Sequence, residues 1–442
     1  MKHSIAQDFR FGSLLRFSLP TIAMMLMMSL YSMVDGIFVS RFVGSNAFAS
    51  VNIIIPVTFL IIGLGVMLAS GGSAIIAKKM GEGNDSEARQ DFSLIVLLGV
   101  VLAVVLGVFS LLLRDPIIRG LGASDLLMED SRTYFSILVL GFPAYMLQIM
   151  FQTFFVTAGR PHLGMWATVG AGAVNGLLDY LLIVPLEMGV AGAALATVIG
   201  YCIPAVVGLV FFFRKKGSLY FVRPKWRGAT VLKSCSNGSS EMVTNIASAV
   251  ISVLFNVSMI RLAGEDGVAA ISIVLYGQFL FTAVFLGFAG GVAPVISFNY
   301  GAKNIALLRR IFKICLLVIG GSSVLILGLS LLFAPQIVSI FAGRGSAIYP
   351  LALHGFLLFS INYPFAGLNI FSSSMFTAFS NGRVSALISF LRTFALILPV
   401  LLLLPELMGV DGVWLAVPIA EALCAVISAV CLLRGRKTYS YA

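Results

Sequence analysis

The sequence predicts an all-helical membrane protein with twelve spans in two six-helix lobes, and three observations support this. Of the 442 residues, 59% are hydrophobic and only 11% are charged, whereas soluble proteins carry about 25% charged residues. Many apolar runs exceed the ~20 residues that cross a bilayer as a helix. Finally, the chain repeats itself at an offset of 220 positions. Since backbone polar groups in lipid must be satisfied within the segment, and barrel-type alternation is absent, the spans are helices.

The apolar runs define twelve spans. Their limits are 14–40, 48–77, 92–113, 134–158, 164–184, 189–213, 234–260, 268–298, 311–333, 350–378, 384–404 and 410–433. Six spans per copy is an even number, so both copies insert the same way up, related by an axis along the membrane normal.

The repeat is clearest in two matched turns, PLEMGVAG at 185–192 and PELMGVDG at 405–412 (405 − 185 = 220). The same offset relates further pairs: Arg41 and Arg261, Gly44 and Gly264, Gly81 and Gly301, Asn84 and Asn304, Arg89 and Arg309. A duplication on this scale in so apolar a chain is typical of a two-lobed secondary transporter. Gly81 and Gly301 are expected to end their helices as left-handed caps.

The repeat divides the chain into an N-lobe at 1–213, a basic connector at 214–233 and a C-lobe at 234–442. The connector holds seven of the 29 Lys and Arg residues. It is interpreted as a cytoplasmic link with a membrane-surface stretch; a regulatory or lipid-binding role is the alternative.

The Lys and Arg residues are distributed unequally between the two predicted sides of the membrane. With the N-terminus inside, the cytoplasmic segments hold 22 of the 29 Lys and Arg residues and the outer loops hold six. This bias predicts a multi-pass protein with both termini in the cytoplasm, and we expect its location to be the bacterial inner membrane. It also accounts for the net charge of +11 without a nucleic-acid partner.

The sequence contains no pattern that indicates an enzyme or a cofactor. The five cysteines have no paired or metal-like spacing, and no nucleotide-binding loop or nucleophile motif occurs. We therefore expect no cofactor, and we expect transport energy to come from an ion gradient, of protons or Na⁺.

Two acidic residues inside predicted spans have no acidic counterpart in the second copy. The offset relates Asp35 to Phe255 and Asp179 to Pro399. A charge at the bilayer centre costs about 3 kcal/mol on insertion scales, so each carboxylate is a candidate site.

Each carboxylate follows a polar residue by one helical turn: Tyr31 precedes Asp35, and Asn175 precedes Asp179. Spacing of four residues places each pair on one helix face. Burial disfavours the charged carboxylate, so these groups could load and release a proton, or bind Na⁺ when ionised. A fixed hydrogen-bond network that holds the helices together is the alternative.

Other polar residues inside spans allow more than one interpretation. Pro20 predicts a kink about four turns inward of Asp35, static or moving. Glu241, at the start of the seventh span, is interpreted as a cap on the helix dipole. Arg392 and Glu421 predict either a buried ion pair or a charged cavity wall. His354 is expected to be packed or hydrogen-bonded.

Candidate contacts for a substrate cavity come from methionine and amide side chains. Met28 belongs to the methionine-rich run MMLMMSLYSM, and Gln148 and Gln152 lie one turn apart on the fourth span. Asn369 aligns with Gln148 at an offset of 221 (369 − 148 = 221). Thioethers suit promiscuous apolar or cationic ligands, although ordinary packing explains the same residues.

Five segments together resemble the multidrug and toxic compound extrusion (MATE) transporters. They are VDGIFVSRFVG in the first span, IIAKKMGEGN after the second, TAGRP after the fourth, NGLLDYLLI followed by MGVAGAALAT, and APVISFNYGAKN in the second half. The resemblance implies two six-helix lobes forming a V that opens alternately to either side. It also implies cation-coupled efflux of amphipathic, often cationic drugs, which we expect of a monomer.

In family members with an acidic N-lobe site, a polar network couples ion binding to bending of the first helix. The matching positions, with Pro20 as the bend, are Tyr31, Asp35, Tyr134, Asn175, Asp179 and Thr197. Another branch has a C-lobe site that needs acidic residues in the seventh and tenth spans. Here the tenth span has none, so the resemblance is to the N-lobe type.

Two other functions are open to such a chain. A lipid-linked glycan flippase of the same superfamily would need several basic residues around a cavity, and only Arg392 lies deep inside a span. An intramembrane enzyme would need a nucleophile with its base, or a metal set, at one depth. The sequence has neither pattern.

Overall fold

The computed structural model describes residues 4–441, apart from the side chains of residues 32–34, 36, 37, 40 and 45, and this part of the chain contains helices and no strand. The α-helices are α1 (Phe11–Phe38), α2 (Ser45–Gly81), α3 (Asp85–Leu112), α4 (Arg114–Gly120), α5 (Met128–Leu140), α6 (Phe142–Thr157), α7 (Pro161–Ile183), α8 (Gly189–Phe213), α9 (Gly228–Gly301), α10 (Ile305–Phe341), α11 (Ile348–Ser360), α12 (Tyr363–Ala378), α13 (Gly382–Phe390), α14 (Ile397–Met408) and α15 (Val410–Tyr439). Short π-helical turns occupy Val39–Val43 and Leu391–Ala395, and a 3₁₀ turn occupies Ser4–Ala6.

The helices supply the twelve predicted spans. Within residues 4–441, nine helices are long and apolar enough to cross a membrane, and two bent pairs raise the number to eleven. Helix α9 has 74 residues, about 110 Å at the α-helical rise, which is far longer than the ~30 Å hydrocarbon core. It breaks at Gly264, where φ is 64° and ψ is −152°. Its limbs, 228–263 and 265–301, are therefore two spans, and the prediction of twelve is confirmed.

The fourth and tenth spans are bent rather than straight. Helices α5 and α6 meet at 54°, and α11 and α12 meet at 52°. A proline in the first turn of the second helix, Pro143 or Pro364, follows each bend. The offset is 220 between the starts of α5 and α11 (348 − 128) and 221 between those of α6 and α12 (363 − 142). One extra residue at the second bend therefore explains the shifted alignment of Asn369 with Gln148.

The duplicated turns have duplicated backbone conformations. Gly44 and Gly264 have φ angles of 123° and 64°, and Gly189 and Gly409 have φ angles of 56° and 61°. Side chains rarely adopt these conformations, which explains glycine at all four positions. These turns lie at one end of the bundle. The other end holds the connector and the turns at 82–84 and 302–304; we call it the connector face, and it is the side that the charge distribution predicts to be cytoplasmic.

The lobes touch backbone to backbone near the connector face. A Cβ on Gly81 would lie 2.0 Å from the Phe298 carbonyl oxygen, and one on Gly301 would lie 2.1 Å from that of Lys78. Because 298 − 78 and 301 − 81 both equal 220, the two contacts are related by the internal twofold. The prediction of left-handed caps at Gly81 and Gly301 is wrong, because both residues are still helical and end their helices. Glycine is required there because the backbones of the two lobes approach so closely.

A second pair of close contacts between the lobes lies further from the connector face. A Cβ on Gly238 would lie 1.9 Å from the Met67 carbonyl oxygen, and one on Gly291 would lie 3.1 Å from the Ser18 Cα. Positions 18 and 238 are again equivalent in the two copies. Helices α1 and α2 of the N-lobe thus pack on the two limbs of α9, and the lobes are closed at the connector face.

The connector is fixed to the N-lobe. Helix α9 begins at Gly228, six residues before the predicted start of the seventh span (234 − 228). The guanidinium of Arg89 donates to the Tyr220 hydroxyl at 3.0 Å. The buried carboxylate of Asp91 pairs with Lys79 at 2.5 Å and with Arg227 at 3.3 Å. Two cations around one carboxylate therefore fix the end of the connector where the C-lobe begins.

We expect Gly301→Ala to separate the lobes and lower the free energy of unfolding by about 1–3 kcal/mol, since overpacking costs this much. The added Cβ meets a backbone carbonyl that cannot rotate away. Thermal unfolding in detergent measures the change. Gly320→Ala in α10 is the control, because nothing lies within 4 Å of its Cβ position. Equal melting temperatures for the two variants would contradict the backbone contact.

Candidate functional site

The two N-lobe carboxylates form a buried site. Asp35 lies on α1 and Asp179 on α7, and they are close enough to interact electrostatically. Asp179 is completely buried. Neither of its carboxylate oxygens accepts a hydrogen bond from a described residue, and the same holds for Asp35 Oδ1. A buried charge without a partner is strongly unfavourable.

Tyrosine side chains surround the carboxylates. Gln148 donates to the Tyr31 hydroxyl with an Nε2–Oη distance of 3.5 Å, and α7 approaches the Tyr31 ring closely at Gly172. Tyr134 is buried and lies within electrostatic range of both Asp35 and Asp179. Three helices, α1, α5 and α7, thus bring together groups that are distant in sequence.

Two more tyrosines belong to this cluster, and the sequence reasoning missed them. The rings of Tyr145 and Tyr201 stack with centroids 4.1 Å apart at an interplanar angle of 10°. Tyr201 also lies within electrostatic range of Asp35 and Tyr31. One signal could have revealed it: the offset of 220 relates Tyr201 to Glu421, an ionisable residue inside a span of the other lobe.

The remaining network residues occupy two different environments. Asn175 is buried one turn before Asp179, and its Cβ lies 3.3 Å from the Cβ position of Gly200 on α8. Thr197 donates to the Ala193 carbonyl of its own helix at 2.9 Å. The Thr197 hydroxyl therefore donates its proton within its own helix, α8. Asn175 lies on α7, the helix that carries Asp179.

The first helix is continuous at Pro20. Helix α1 runs from Phe11 to Phe38 with Pro20 inside it, and its backbone changes to a π-helical turn only at Val39–Val43. The helix thus continues through Pro20, where the kink stays a prediction, and the irregular backbone lies one turn beyond Asp35. Single π-helical turns frequently occur at functional sites.

The predicted amide contacts lie inside the lobes instead of on a cavity wall. Gln148, Gln152 and Asn369 are all less than 5% exposed. Gln152 donates to the Thr168 hydroxyl at 3.2 Å. Buried amides need hydrogen-bond partners, and these partners lie on neighbouring helices of the same lobe. Met28, by contrast, is half-buried on α1.

The C-lobe contains a complete ion pair. Nε and Nη2 of Arg392 donate to Glu421 Oε1 at 3.0 and 2.7 Å. Asn369 Nδ2 donates to Glu421 Oε2 at 2.6 Å, and Ser428 donates to Asn369 Oδ1 at 2.7 Å. The Arg392 and Glu421 side chains are only 11% and 3% exposed. Of the two interpretations of Arg392 and Glu421, the buried ion pair is therefore confirmed.

Glu241 is not a helix cap. Helix α9 begins at Gly228, so Glu241 lies about 3.6 turns inside it (13 residues), and the helix dipole cannot account for it. Its carboxylate lies within electrostatic range of Arg392.

The expectation that His354 is packed or hydrogen-bonded is confirmed, because its Nε2 is hydrogen-bonded to Asp411 Oδ1 at 2.8 Å.

The two lobes therefore balance charge differently. In the C-lobe a guanidinium neutralises Glu421 permanently. In the N-lobe no described Lys or Arg pairs with Asp35 or Asp179. Residues 4–441 also contain no group of three or more His, Cys, Asp or Glu side chains arranged to hold a metal ion.

Both halves of the repeat match the same family model. The model described as MatE matches residues 20–181 and again residues 241–403, which together cover most of the chain. The chain belongs to the MatE family. This MATE protein is a membrane transporter, and the family gives no support to an enzymatic activity.

The similar proteins agree with this assignment. The MATE chain is 24% identical to the multidrug export protein MepA of Staphylococcus saprophyticus, over 97% of this chain and 95% of the relative. It is 25% identical to MepA of Staphylococcus haemolyticus, over 95% and 92% of the two chains.

Solved structures share the fold. A MATE crystal structure in complex with MaL6 has a TM-score of 0.93 at 22% identity and covers 100% of this chain and 99% of its own. An outward-facing multidrug resistance MATE transporter has a TM-score of 0.90 at 23% identity, covering 97% and 95%. The twelve-span, two-lobed MATE fold is confirmed.

We expect Arg392→Met to lower the free energy of unfolding by about 3–5 kcal/mol, because it leaves Glu421 buried without a counter-charge. The double variant Arg392→Met/Glu421→Gln should recover most of the loss. Arg261→Met is the matched control, since the Arg261–Glu406 pair is exposed (66% and 56%) and such pairs contribute at most about 1 kcal/mol. Thermal unfolding that ranks the two single variants equally would show that Arg392 does not stabilise the lobe in this way.

Proposed function

We propose that this transporter is a multidrug antiporter that exports amphipathic organic cations while protons or Na⁺ enter through the N-lobe. The observation that carries the proposal is the Asp179 carboxylate, completely buried beside Asp35 without a hydrogen bond from any described residue. Such a group is stable when protonated or when a cation is bound. The names of the MepA relatives, multidrug export proteins, support small-molecule drugs as the exported substrates.

The coupling follows from charge compensation. With Asp35 and Asp179 ionised, the N-lobe attracts a cationic drug and equally a coupling ion. Entry of a proton or Na⁺ neutralises the carboxylates and removes their attraction for the drug. Tyr31, hydrogen-bonded to Gln148, is the group on α1 whose environment changes when Asp35 changes charge. A change at Asp35 is therefore transmitted along α1, which packs against the second limb of α9.

Alternating access would then open the connector face. The backbone contacts at Gly81 and Gly301 keep that face closed in this conformation. Movement of α1 against Gly291 would separate the lobes there and close them at the other end. The excess of Lys and Arg on the connector face supports a cytoplasmic location for it. Both termini would then be cytoplasmic in the inner membrane, and each monomer would contain a complete path.

The geometry gives no support to a lipid-linked glycan flippase. Arg16 and Lys313 are each only the third residue of a predicted span, whereas Arg392 lies deep inside one. Both described hydrogen bonds of Arg392 go to Glu421. A pyrophosphate group would have to compete with that carboxylate in a nearly closed environment.

We expect Asp179→Asn and Asp35→Asn to reduce gradient-driven dye export at least tenfold, since an amide neither takes up a proton nor attracts Na⁺. Proteoliposomes with a pH gradient and a Na⁺ gradient imposed separately measure export and identify the coupling ion. Asp125→Asn is the control, because that side chain is 90% exposed. Export at the normal rate by well-folded Asp179→Asn and Asp35→Asn protein would refute the proposal.

A further inference from the structure

The last helix, α15, has an exposed apolar face in the half that lies nearest the connector face. At spacings of three, four and three residues, the face comprises Leu423, Val426, Val430 and Leu433, which are 40–65% exposed. Helical periodicity places these four side chains on one side of the helix. In a membrane-spanning helix such a face contacts the acyl chains of lipids.

Two cations continue this face beyond the predicted twelfth span, which ends at 433. Arg434 follows Val430 by four residues, and Lys437 follows Leu433 by four residues, so each cation lies one turn further along the same face. Both cations are exposed. Together these four residues line an open groove of about 450 Å³. The groove is therefore apolar towards the bilayer centre and cationic at its other end.

The opposite side of this helix end is anchored in the C-lobe. The Tyr439 ring stacks on the Phe379 ring with centroids 4.5 Å apart, and the Tyr300 ring lies 5.8 Å from that of Tyr439. Tyr441 is 1% exposed, and its hydroxyl donates to the Leu432 carbonyl at 2.6 Å. These contacts hold the last turns of α15 at the connector face, so the backbone that carries the two cations is fixed before any ligand binds.

The equivalent helix of the N-lobe lacks this arrangement. The offset of 220 relates Leu433 to Phe213, where α8 ends, and the next residue, Arg214, has extended backbone with a φ of −73° and a ψ of 117°. The same offset relates Lys437 to Gly217. Helix α15 instead continues for six residues beyond Leu433. Of these two equivalent helices, α15 is therefore the one that places two cations on its lipid-facing side.

No described carboxylate neutralises these two cations. Within residues 4–441, neither Arg434 nor Lys437 forms an ion pair, and no Asp or Glu follows Glu421 in the sequence. An arginine guanidinium donates paired hydrogen bonds to a phosphate group, and a lysine ammonium binds phosphate as a point charge. The two charges are therefore available to an anion from outside the protein.

We propose that this groove binds an anionic phospholipid. The lipid phosphate accepts hydrogen bonds from Arg434 and Lys437, and one acyl chain lies along Val430, Val426 and Leu423. A basic pocket at the cytoplasmic end of a membrane-spanning helix suits an anionic head group. A free phosphate ion would use the cations alone, so the continuity of the cationic and apolar surfaces favours a lipid.

Fluorescence quenching by brominated lipids tests this site. Val426→Trp places a reporter outside the groove, about 12 Å along the helix from Arg434 (434 − 426 = 8 residues), level with the middle of an acyl chain. The exposed Trp166 and Trp226 are replaced by phenylalanine, and Trp414 is completely buried. In vesicles, dibrominated phosphatidylglycerol should bind beside the reporter at least about fivefold more strongly than dibrominated phosphatidylcholine, since each Lys or Arg near an anionic surface contributes about this factor.

Single substitutions show whether this preference belongs to the groove. Arg434→Gln and Lys437→Gln should each weaken phosphatidylglycerol binding about fivefold, and Lys437→Arg should retain it. Arg436→Gln is the matched control, because it removes the same charge from an exposed position about 200° round the helix from Arg434. Equal quenching by the two lipids before any substitution, or an equal loss of binding in Arg436→Gln, would overturn the proposal.

Two further measurements separate a lipid site from its alternatives. Unbrominated phosphatidylglycerol should restore the fluorescence, whereas inorganic phosphate at the same ionic strength should not; restoration by phosphate would indicate an ion site instead of a lipid site. Val324→Trp, at a position that is 70% exposed in the middle of the ninth predicted span, should be quenched equally by both lipids. The same lipid preference at this position would show general enrichment around the protein and would also overturn the proposal.

The lipid site is independent of the proposed export function. Quenching is measured without a drug and without an ion gradient, so its outcome does not depend on the transport rates of Asp35→Asn and Asp179→Asn.

Discussion

The cost of burying a charge in a low-dielectric interior is the constraint on which the arrangement of both lobes depends. In the C-lobe, Arg392, Asn369 and Ser428 complete a network around Glu421, so the buried carboxylate is permanently compensated. In the N-lobe, Asp179 has no such partner among the described residues. A fixed guanidinium thus meets this free-energy penalty in one lobe, and no described Lys or Arg does so in the other. Duplication supplied two similar scaffolds, and the placement of one arginine makes their charge balance unequal.

The contact between the lobes depends on glycine. Helices approach until a carbonyl lies where a Cβ would be, at Gly81 and Gly301 and again at Gly238. Small residues are what allow this in lipid, where close packing rather than water exclusion holds helices together. The contact covers only the half of the bundle near the connector face. Further out along the first limb of α9, the polar residues Ser248, Ser252 and Asn256 are exposed.

Much of the fold was predictable because each span must satisfy its own backbone. The twelve spans and the repeat followed from hydropathy and from the offset of 220, and the grouping of Asp35 and Asp179 in one polar network followed from the family resemblance. Side-chain environments were harder. Gln148, Gln152 and Asn369 were expected in a cavity, but each is buried within a lobe. Glu241 was expected at a helix start, but α9 begins 13 residues earlier, at Gly228. Polarity indicates that a residue inside a span has a polar partner, without indicating which helix supplies it.

The sequence by itself determined that this protein is a two-lobed membrane transporter whose lobes differ in their acidic residues. Those properties are local or periodic, and helical geometry converts them directly into spans and faces. Only the tertiary structure decided which charges are compensated. The ion pair of Arg392 with Glu421 and the stacking of Tyr145 on Tyr201 both depend on how helices distant in sequence pack. Distances between such helices are set by the fit of many side chains at once, which no single stretch of sequence encodes.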